Sequence, residues 1–332
     1  MKDPIPTISL SSTKTGEDHA SLVRSVRMAC IETGFFYVSD HGMEMQPALF
    51  EQSRLFFGLP PHEKRSLFDA TLARGYTPMG EETLDPANQS VGDTKEGFYA
   101  SANDVSSTDP NYNPDKLMGP NQWPDSERCP SLHDPTVFQS VVNTYIENIM
   151  HISRTVVALI AESLGLEPHH FDEDFCEPQA LLGLLHYAAV PSNLSTGVFA
   201  CGAHSDYGMI TLLLTDDSPG LQIYREDRWV DIPPRPDCFI CNLGDMLERW
   251  TNGLYRSTLH RVVNTTGAER YSVPFFFEPN FDAVVACLPT CCSDTNPPRY
   301  PPTTSGEHLV AKYRETHADF KPNKDVDAGN TT

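Results

Sequence analysis

The sequence predicts a mainly β protein with flanking helices, its strands closing into a sandwich or barrel. Three observations carry this. From about Leu181 to Pro289, short apolar or alternating runs recur between turn residues. The chain holds 28 prolines, which suit a loop-rich β protein whose connections cannot be helix. Helical periodicity lies outside that block.

Taken in order, residues 7–10 read as a short strand and residues 18–33 as a helix. Leu22, Val26 and Cys30 recur at helical spacing there, and Gly34 sits where a C-terminal cap belongs. Phe35 to Val38 is a strand and Pro47 to Phe57 a second helix. Residues 100–135 are polar and rich in Pro, Asn and Asp, a long surface connection. A long helix covers about 136–164, with Val137, Val141, Tyr145, Met150, Val156 and Ile160 near one phase. Within the strand block, Leu221 to Tyr224 and Arg228 to Ile232 flank Arg225-Glu226-Asp227, a hairpin turn. The organisation expected is an N-terminal helix and strand region (1–125), a long helix with a β core (126–322), and a loose polar tail (323–332), forming one structural unit.

Composition narrows the class. With 332 residues the chain can bury a substantial core. A net charge of −21 argues against a nucleic-acid partner, since phosphate binding needs a basic surface. No apolar run is long enough to span a membrane, and the start Met1-Lys2-Asp3-Pro4 carries no apolar signal segment. A cytoplasmic monomer with reduced thiols is the expectation for its nine cysteines. Cys238-Phe239-Ile240-Cys241 has the spacing of a zinc or redox motif but lies inside an apolar strand, with no second pair to complete a tetrahedral site.

The chemistry is carried by His204, Asp206 and His260, with Arg270 and Ser272 downstream. Two imidazoles and one carboxylate form a facial triad suited to non-haem Fe(II), with coordination positions left open. His-x-Asp alone is weak evidence: roughly one match arises by chance in such a composition. Three occur, at His170/Asp172, His204/Asp206 and His317/Asp319. The first falls in an exposed connector and the last on a charged helix face with no later histidine. The middle one reads as strand, from Ala203 into the apolar run Met209 to Leu214, so that residues i and i+2 share a face. Ser257 to Val263 alternates as a half-buried strand would, turning His260 inward. A lone histidine there is more often a satisfied core residue than a ligand; its neighbours decide otherwise. Arg270 and Ser272 are again i and i+2 on a strand. A guanidinium inside an apolar barrel needs an anion, either an internal Asp or a carboxylate ligand held bidentately.

Several runs together carry a resemblance. Cys201-Gly202-Ala203-His204-Ser205-Asp206-Tyr207-Gly208, the stretch Asn242 to Gly253, and Thr258-Leu259-His260-Arg261-Val262 resemble the isopenicillin N synthase-like, plant-type branch of the Fe(II)/2-oxoglutarate dioxygenases. Gly34 to Gly42, Phe56 to Pro60, Gly75 to Pro78 and Asp93 to Phe98 extend the likeness over roughly residues 5–318. The resemblance implies a double-stranded β-helix (jelly roll) core. It implies that His204, Asp206 and His260 bind iron and act in catalysis, and that Arg270, Ser272 and Tyr187 hold 2-oxoglutarate. Leu185 stands where the family has Asn in an Asn-x-Tyr element, removing one polar contact. His41 matches a structural position, and His186, next to Tyr187, points to the opposite face.

Family position suggests Tyr76, Phe98, Phe199, Tyr207 and Phe276 as substrate contacts, against the simpler role of core aromatics. The chemistry implied consumes 2-oxoglutarate and O2, yields succinate and CO2, and oxidises an unactivated C–H bond of a small molecule in specialised metabolism. Hydroxylation comes first. Oxidative cyclisation or desaturation follows, such as kainoid-type ring closure of a prenylated amino acid. An oxidase that uses no 2-oxoglutarate, as isopenicillin N synthase does, and a catalytically silent binding protein on the same fold complete the alternatives.

Overall fold

The computed structural model describes residues 3–12, 17–44, 46–317 and 320. The 323–332 tail therefore lies outside the described residues. Strands run β1 (Thr7–Ser9), β2 (Phe35–Ser39), β3 (Phe68–Asp69), β4 (Arg74–Thr77), β5 (Lys95–Ser101), β6 (Gln179–Tyr187), β7 (Cys201–His204) and β8 (Ile210–Thr215). They continue as β9 (Leu221–Arg225), β10 (Arg228–Asp231), β11 (Phe239–Leu243), β12 (His260–Val262), β13 (Arg270–Glu278), β14 (Val284–Val285) and β15 (Thr303–Thr304). The helices are α1 (Glu17–Glu32), α2 (Gln46–Phe57), α3 (Pro61–Arg65), α4 (Pro135–Ser163), α5 (Asp245–Trp250) and α6 (Ser305–Thr316).

Two sheets face each other. The larger has nine strands in the order β1-β2-β11-β8-β13-β6-β5-β4-β3, and the smaller has four, β10-β9-β12-β7. N-terminal strands β1 to β5 thus extend the sheet formed by the later strands. The architecture is the jelly roll, mainly β with flanking helices.

Strand alternation divides the large sheet into two faces with different tasks. Phe36, Val38, Phe98, Leu182, Leu184, Leu212, Phe239, Cys241, Val273 and Phe275 face the helices and form the main core with α1, α2 and α4. Phe35, Tyr37, Tyr99, Leu185, Tyr187 and Ile240 face the small sheet, where they meet Ala200, Cys201, Leu221, Ile223 and Val262. Almost the whole large sheet is therefore buried on both faces, which is why its strands read as apolar runs more than as alternation. The space between the sheets holds the site.

Helix α4 props the large sheet. Asp134 accepts hydrogen bonds from the Thr136 and Val137 amides, and Pro135 occupies the first turn, where no amide is needed. Its buried stripe includes Phe138, Val142, Tyr145, Ile149, Val156 and Ile160. The expected stripe began one residue earlier; Val137 is 42% exposed, because the larger Phe138 takes the inward position. Gly34 ends α1 at φ +64, and a Cβ there would overlap the Arg256 carbonyl. The β9–β10 hairpin turns on Glu226 and Asp227 alone, both with positive φ, while Arg225 remains in strand. Cys241 is buried in β11 with no zinc-type cluster around it among the described residues.

Candidate iron and carboxylate site

The strand β12 lies between β7 and β9, and its register sets His260 directly opposite His204. The two rings are 4.2 Å apart between centroids. Strand β7 ends at His204, so Asp206 sits on the turn beyond it. This corrects the expectation of one continuous strand through Gly208. Asp206 reaches the histidines because the chain turns back there, with the Asp245 amide bonded to its carbonyl at 2.8 Å. Asp206 Oδ1 lies 3.7 Å from His204 Nε2 and 3.6 Å from His260 Nε2. Among the described residues, these three form the one cluster able to hold a metal ion, with ligand atoms all within 4.8 Å of one another.

The neighbours orient all three ligands. His204 Nδ1 donates to the Gly202 carbonyl at 2.8 Å, and His260 Nδ1 donates to the Thr258 carbonyl at 3.1 Å. A carbonyl only accepts, so each ring keeps its proton on Nδ1 and turns a bare Nε2 towards Asp206. Burial, reinforced by the neighbouring His204 ring and opposed by Asp206, pulls the His260 pKa down to about 4. The neutral form needed for a ligand is thereby favoured. Asp206 Oδ2 accepts from Asn242 Nδ2 at 2.7 Å and from Thr211 Oγ1, leaving Oδ1 free to ligate. We expect Thr211→Val to weaken Fe(II) binding by roughly tenfold. An unchanged iron dissociation constant in a metal titration would show that this bond is dispensable.

Asp206, His260 and His204 open into a cavity of about 590 Å3 that Arg270, Ser272 and Tyr187 also line. Arg270 and Ser272 project from alternate positions of β13, opposite Tyr187 and Leu185 of β6. Arg270 is 3% exposed and Ser272 1%. Arg270 Nε and Nη1 and Ser272 Oγ have no hydrogen-bond partner. The guanidinium lies 4.8 Å over the Tyr187 ring. No internal Asp or Glu pairs with Arg270 among the described residues, so the competing reading of an Arg–Asp pair fails. A buried cation and hydroxyl left open are complementary to a carboxylate. Leu185 lines the same cavity and offers it only an apolar wall.

A second cavity, about 620 Å3, adjoins the first through Glu82, Leu84, Tyr99, His204, Asp206 and Phe276. Tyr207 and Phe276 line it, as the sequence suggested, with Thr77, Glu278, Tyr313 and His317. Tyr76, Phe98 and Phe199 line neither cavity, which corrects that part of the expectation. Tyr76 and Phe98 face the helices, where Phe98 packs on Phe56 and Phe138 at 4.9 and 5.2 Å. Their neighbours Thr77 and Tyr99 face the cavities instead, a one-residue error that alternation converts into the wrong face. Phe199 is buried beneath the Arg261 guanidinium. His317 also departs from expectation: it lines the cavity and lies 3.7 Å from Glu82. Asp319, the other member of that chance match, is outside the described residues. His170 is exposed, and His186 turns to the helix face, bonded to Glu96 at 2.8 Å. His41 accepts from the Met43 amide and packs against Phe239.

Two buried carboxyls near this cavity behave oppositely. Burial and, secondarily, the Asp206 charge push Glu278 up to about 8. Burial would raise Glu82 as well. It is overcome by Lys95 and His317 together with hydrogen bonds from Lys95 and Tyr99, which hold Glu82 at about 2 against an ordinary 4.5. Lys95 Nζ contacts Glu82 at 2.6 Å and Asp93 at 2.5 Å. A carboxyl with a depressed folded pKa contributes stability that is complete above about pH 4.5 and lost as pH falls towards 2. Melting temperature should therefore fall more shallowly across that window in Glu82→Gln than in the parent. Equal slopes would remove Glu82 from the acid response.

Residues 178–279 match the model of the 2OG-Fe(II) oxygenase superfamily, and residues 5–126 match that of the non-haem dioxygenase in morphine synthesis N-terminal region. The chain is 36% identical to Kihadalactone A synthase of Citrus sinensis, over 91% of this chain and 90% of that protein. It is 34% identical to the 2-oxoglutarate-Fe(II) type oxidoreductase hxnY of Emericella nidulans, over 91% and 86%. Its structure is similar to that of full-length Neurospora crassa T7H in complex with alpha-KG, with TM-score 0.80, 28% identity, and coverage of 94% of this chain and 96% of that one.

Proposed function

Because the chain belongs to the 2OG-Fe(II) oxygenase superfamily and is a 2-oxoglutarate-dependent dioxygenase, we propose that it hydroxylates an unactivated C–H bond of a small molecule in specialised metabolism. One observation carries the site assignment. A single cavity contains the three oriented metal ligands together with a buried, unpartnered Arg270 and Ser272. That pairing is complementary to a 2-oxo diacid, one end on the metal and the other on the guanidinium.

In this reading His204, Asp206 and His260 hold iron on one side and leave the other open. When bound, Fe(II) with 2-oxoglutarate and O2 supplies the oxidising power, with succinate and CO2 as co-products. The remaining work belongs to the protein. Arg270 and Ser272 fix the distal carboxylate, and the Tyr187 ring covers the guanidinium. Leu185, Leu213, Pro274 and Val262 keep water from the space between. Phe276 borders both cavities and sets the approach of the substrate to the metal edge. Asn242 and Thr211 keep Asp206 in one orientation throughout.

The test is oxidation of candidate substrates by the iron-loaded protein, scored by succinate and product mass. A product heavier by one oxygen supports hydroxylation. Loss of two hydrogens would replace it with desaturation or ring closure. Substrate oxidation without succinate would point to an oxidase, and no O2 consumption across a broad panel to a binding protein.

A further inference from the structure

One group in the substrate cavity has no task in this scheme. Glu278 ends β13, six residues beyond Ser272 on the same inward face, and its side chain is packed over Gly208, where a Cβ would overlap it. It is 4% exposed, yet it lines the cavity beside Phe276, Tyr207 and Tyr313. Among the described residues its side chain forms no hydrogen bond or ion pair, unlike that of Glu82, which is held by Lys95 and Tyr99. Its carboxyl opens into the cavity with no protein partner, so a ligand that bonds it gains a hydrogen bond there.

The rest of the cavity narrows what that ligand can be. Its charged lining consists of Glu82, Asp206 and Glu278, with His204 and His317 as the basic members and neither Arg nor Lys among them. His204 is committed to the metal cluster and His317 lies against Glu82. Ala73, Leu84, Leu181, Tyr99 and Phe276 supply apolar wall. A carboxylate entering here would lose its hydration beside the Glu82 and Asp206 carboxylates and find no free cation.

Resting on the oxygenase reading above, we propose that Glu278 is the specificity-determining residue of the substrate cavity, its carboxyl oxygen accepting a hydrogen bond from an O–H or N–H donor on an otherwise apolar molecule, in a cavity that Glu82 and Asp206 close to carboxylates. A prenylated amino acid, with its carboxylate, is a poor match to this cavity, which weighs against the kainoid-type alternative.

The experiment uses four probes of one skeleton: 4-phenylbutan-1-ol, 4-phenylbutylamine, the methyl ether of the alcohol, and 4-phenylbutanoate. Each is titrated anaerobically into the Fe(II)- and 2-oxoglutarate-loaded protein, and its dissociation constant is read from the change in the visible band. The alcohol, the amine or both should bind at least about tenfold tighter than the ether and the acid. Glu278→Leu should reduce the preference for the alcohol or amine over the ether to within about twofold while the band still forms, showing an intact iron site. Glu278→Gln, which keeps an acceptor oxygen, should retain the alcohol; losing the amine alone identifies a cationic donor as the recognised group. The proposal is overturned if the acid binds as tightly as the alcohol, if Glu278→Leu leaves the order unchanged, or if none of the four binds while the band is present. Absence of the band in the parent protein would instead refute the oxygenase site on which the proposal rests.

Discussion

Asp206→Ala is expected to yield a folded protein that retains no Fe(II) and turns over no 2-oxoglutarate. The carboxylate is the only anionic member of the cluster, and its Oδ1 sits between two imidazole Nε2 atoms at 3.6 and 3.7 Å. Two neutral rings alone cannot close a three-ligand face. Turnover should fall by roughly a thousandfold or more, to background. Truncation also leaves Asn242 Nδ2 and Thr211 Oγ1 without their buried acceptor, so some loss of stability accompanies it. Asp206→Asn separates the two effects, since the amide oxygen still accepts while the charge is gone. Metal content by elemental analysis and succinate formation check the result; near-normal turnover in either variant would sink the triad assignment.

The second large effect falls on the co-substrate. In Arg270→Met the 2-oxoglutarate requirement should rise by roughly a hundredfold, with smaller losses in Fe(II) affinity. A stability measurement makes this more specific. Arg270 is 3% exposed, with Nε and Nη1 unpartnered, so the ligand-free protein gains little from its charge. The ligand-free Met variant should therefore be at least as stable as the parent. Saturating 2-oxoglutarate should raise the melting temperature of the iron-loaded parent and leave that of the variant nearly unmoved. An equal rise in both would mean that the distal carboxylate is held elsewhere.

Much of this site was legible in the sequence, for identifiable reasons. Metal ligands must be specific residue types, and the proposed co-substrate clamp, Arg270 and Ser272, sits two residues apart on one strand, so both leave a local signature. The strand block and helices α1, α2 and α4 were legible through their periodicity, whereas α3 and α5, of five and six residues, are too short to show one. The residues lining the second cavity were not, because an aromatic on a strand reads the same whichever face it occupies. Tyr76 and Phe98 stand one residue from Thr77 and Tyr99, and alternation puts the two pairs on opposite faces. Glu82, Glu278 and His317 carry no motif; only the folded topology brings the β4–β5 connection, the end of β13 and the end of α6 to one cavity. Asn242 lay within a recognisable run, but its bond to Asp206 spans 36 residues and depends on β11 pairing with β8.

The most direct test of the central assignment is an anaerobic titration of the metal-free protein with Fe(II) and then 2-oxoglutarate, followed by visible absorption. Chelation of a 2-oxo acid on protein-bound Fe(II) produces a charge-transfer band and requires no knowledge of the substrate. The account predicts that the band forms in the parent protein, is absent in Asp206→Ala, and appears in Arg270→Met only at much higher 2-oxoglutarate. An iron-loaded parent that develops no band, or a band that survives Asp206→Ala, would contradict it.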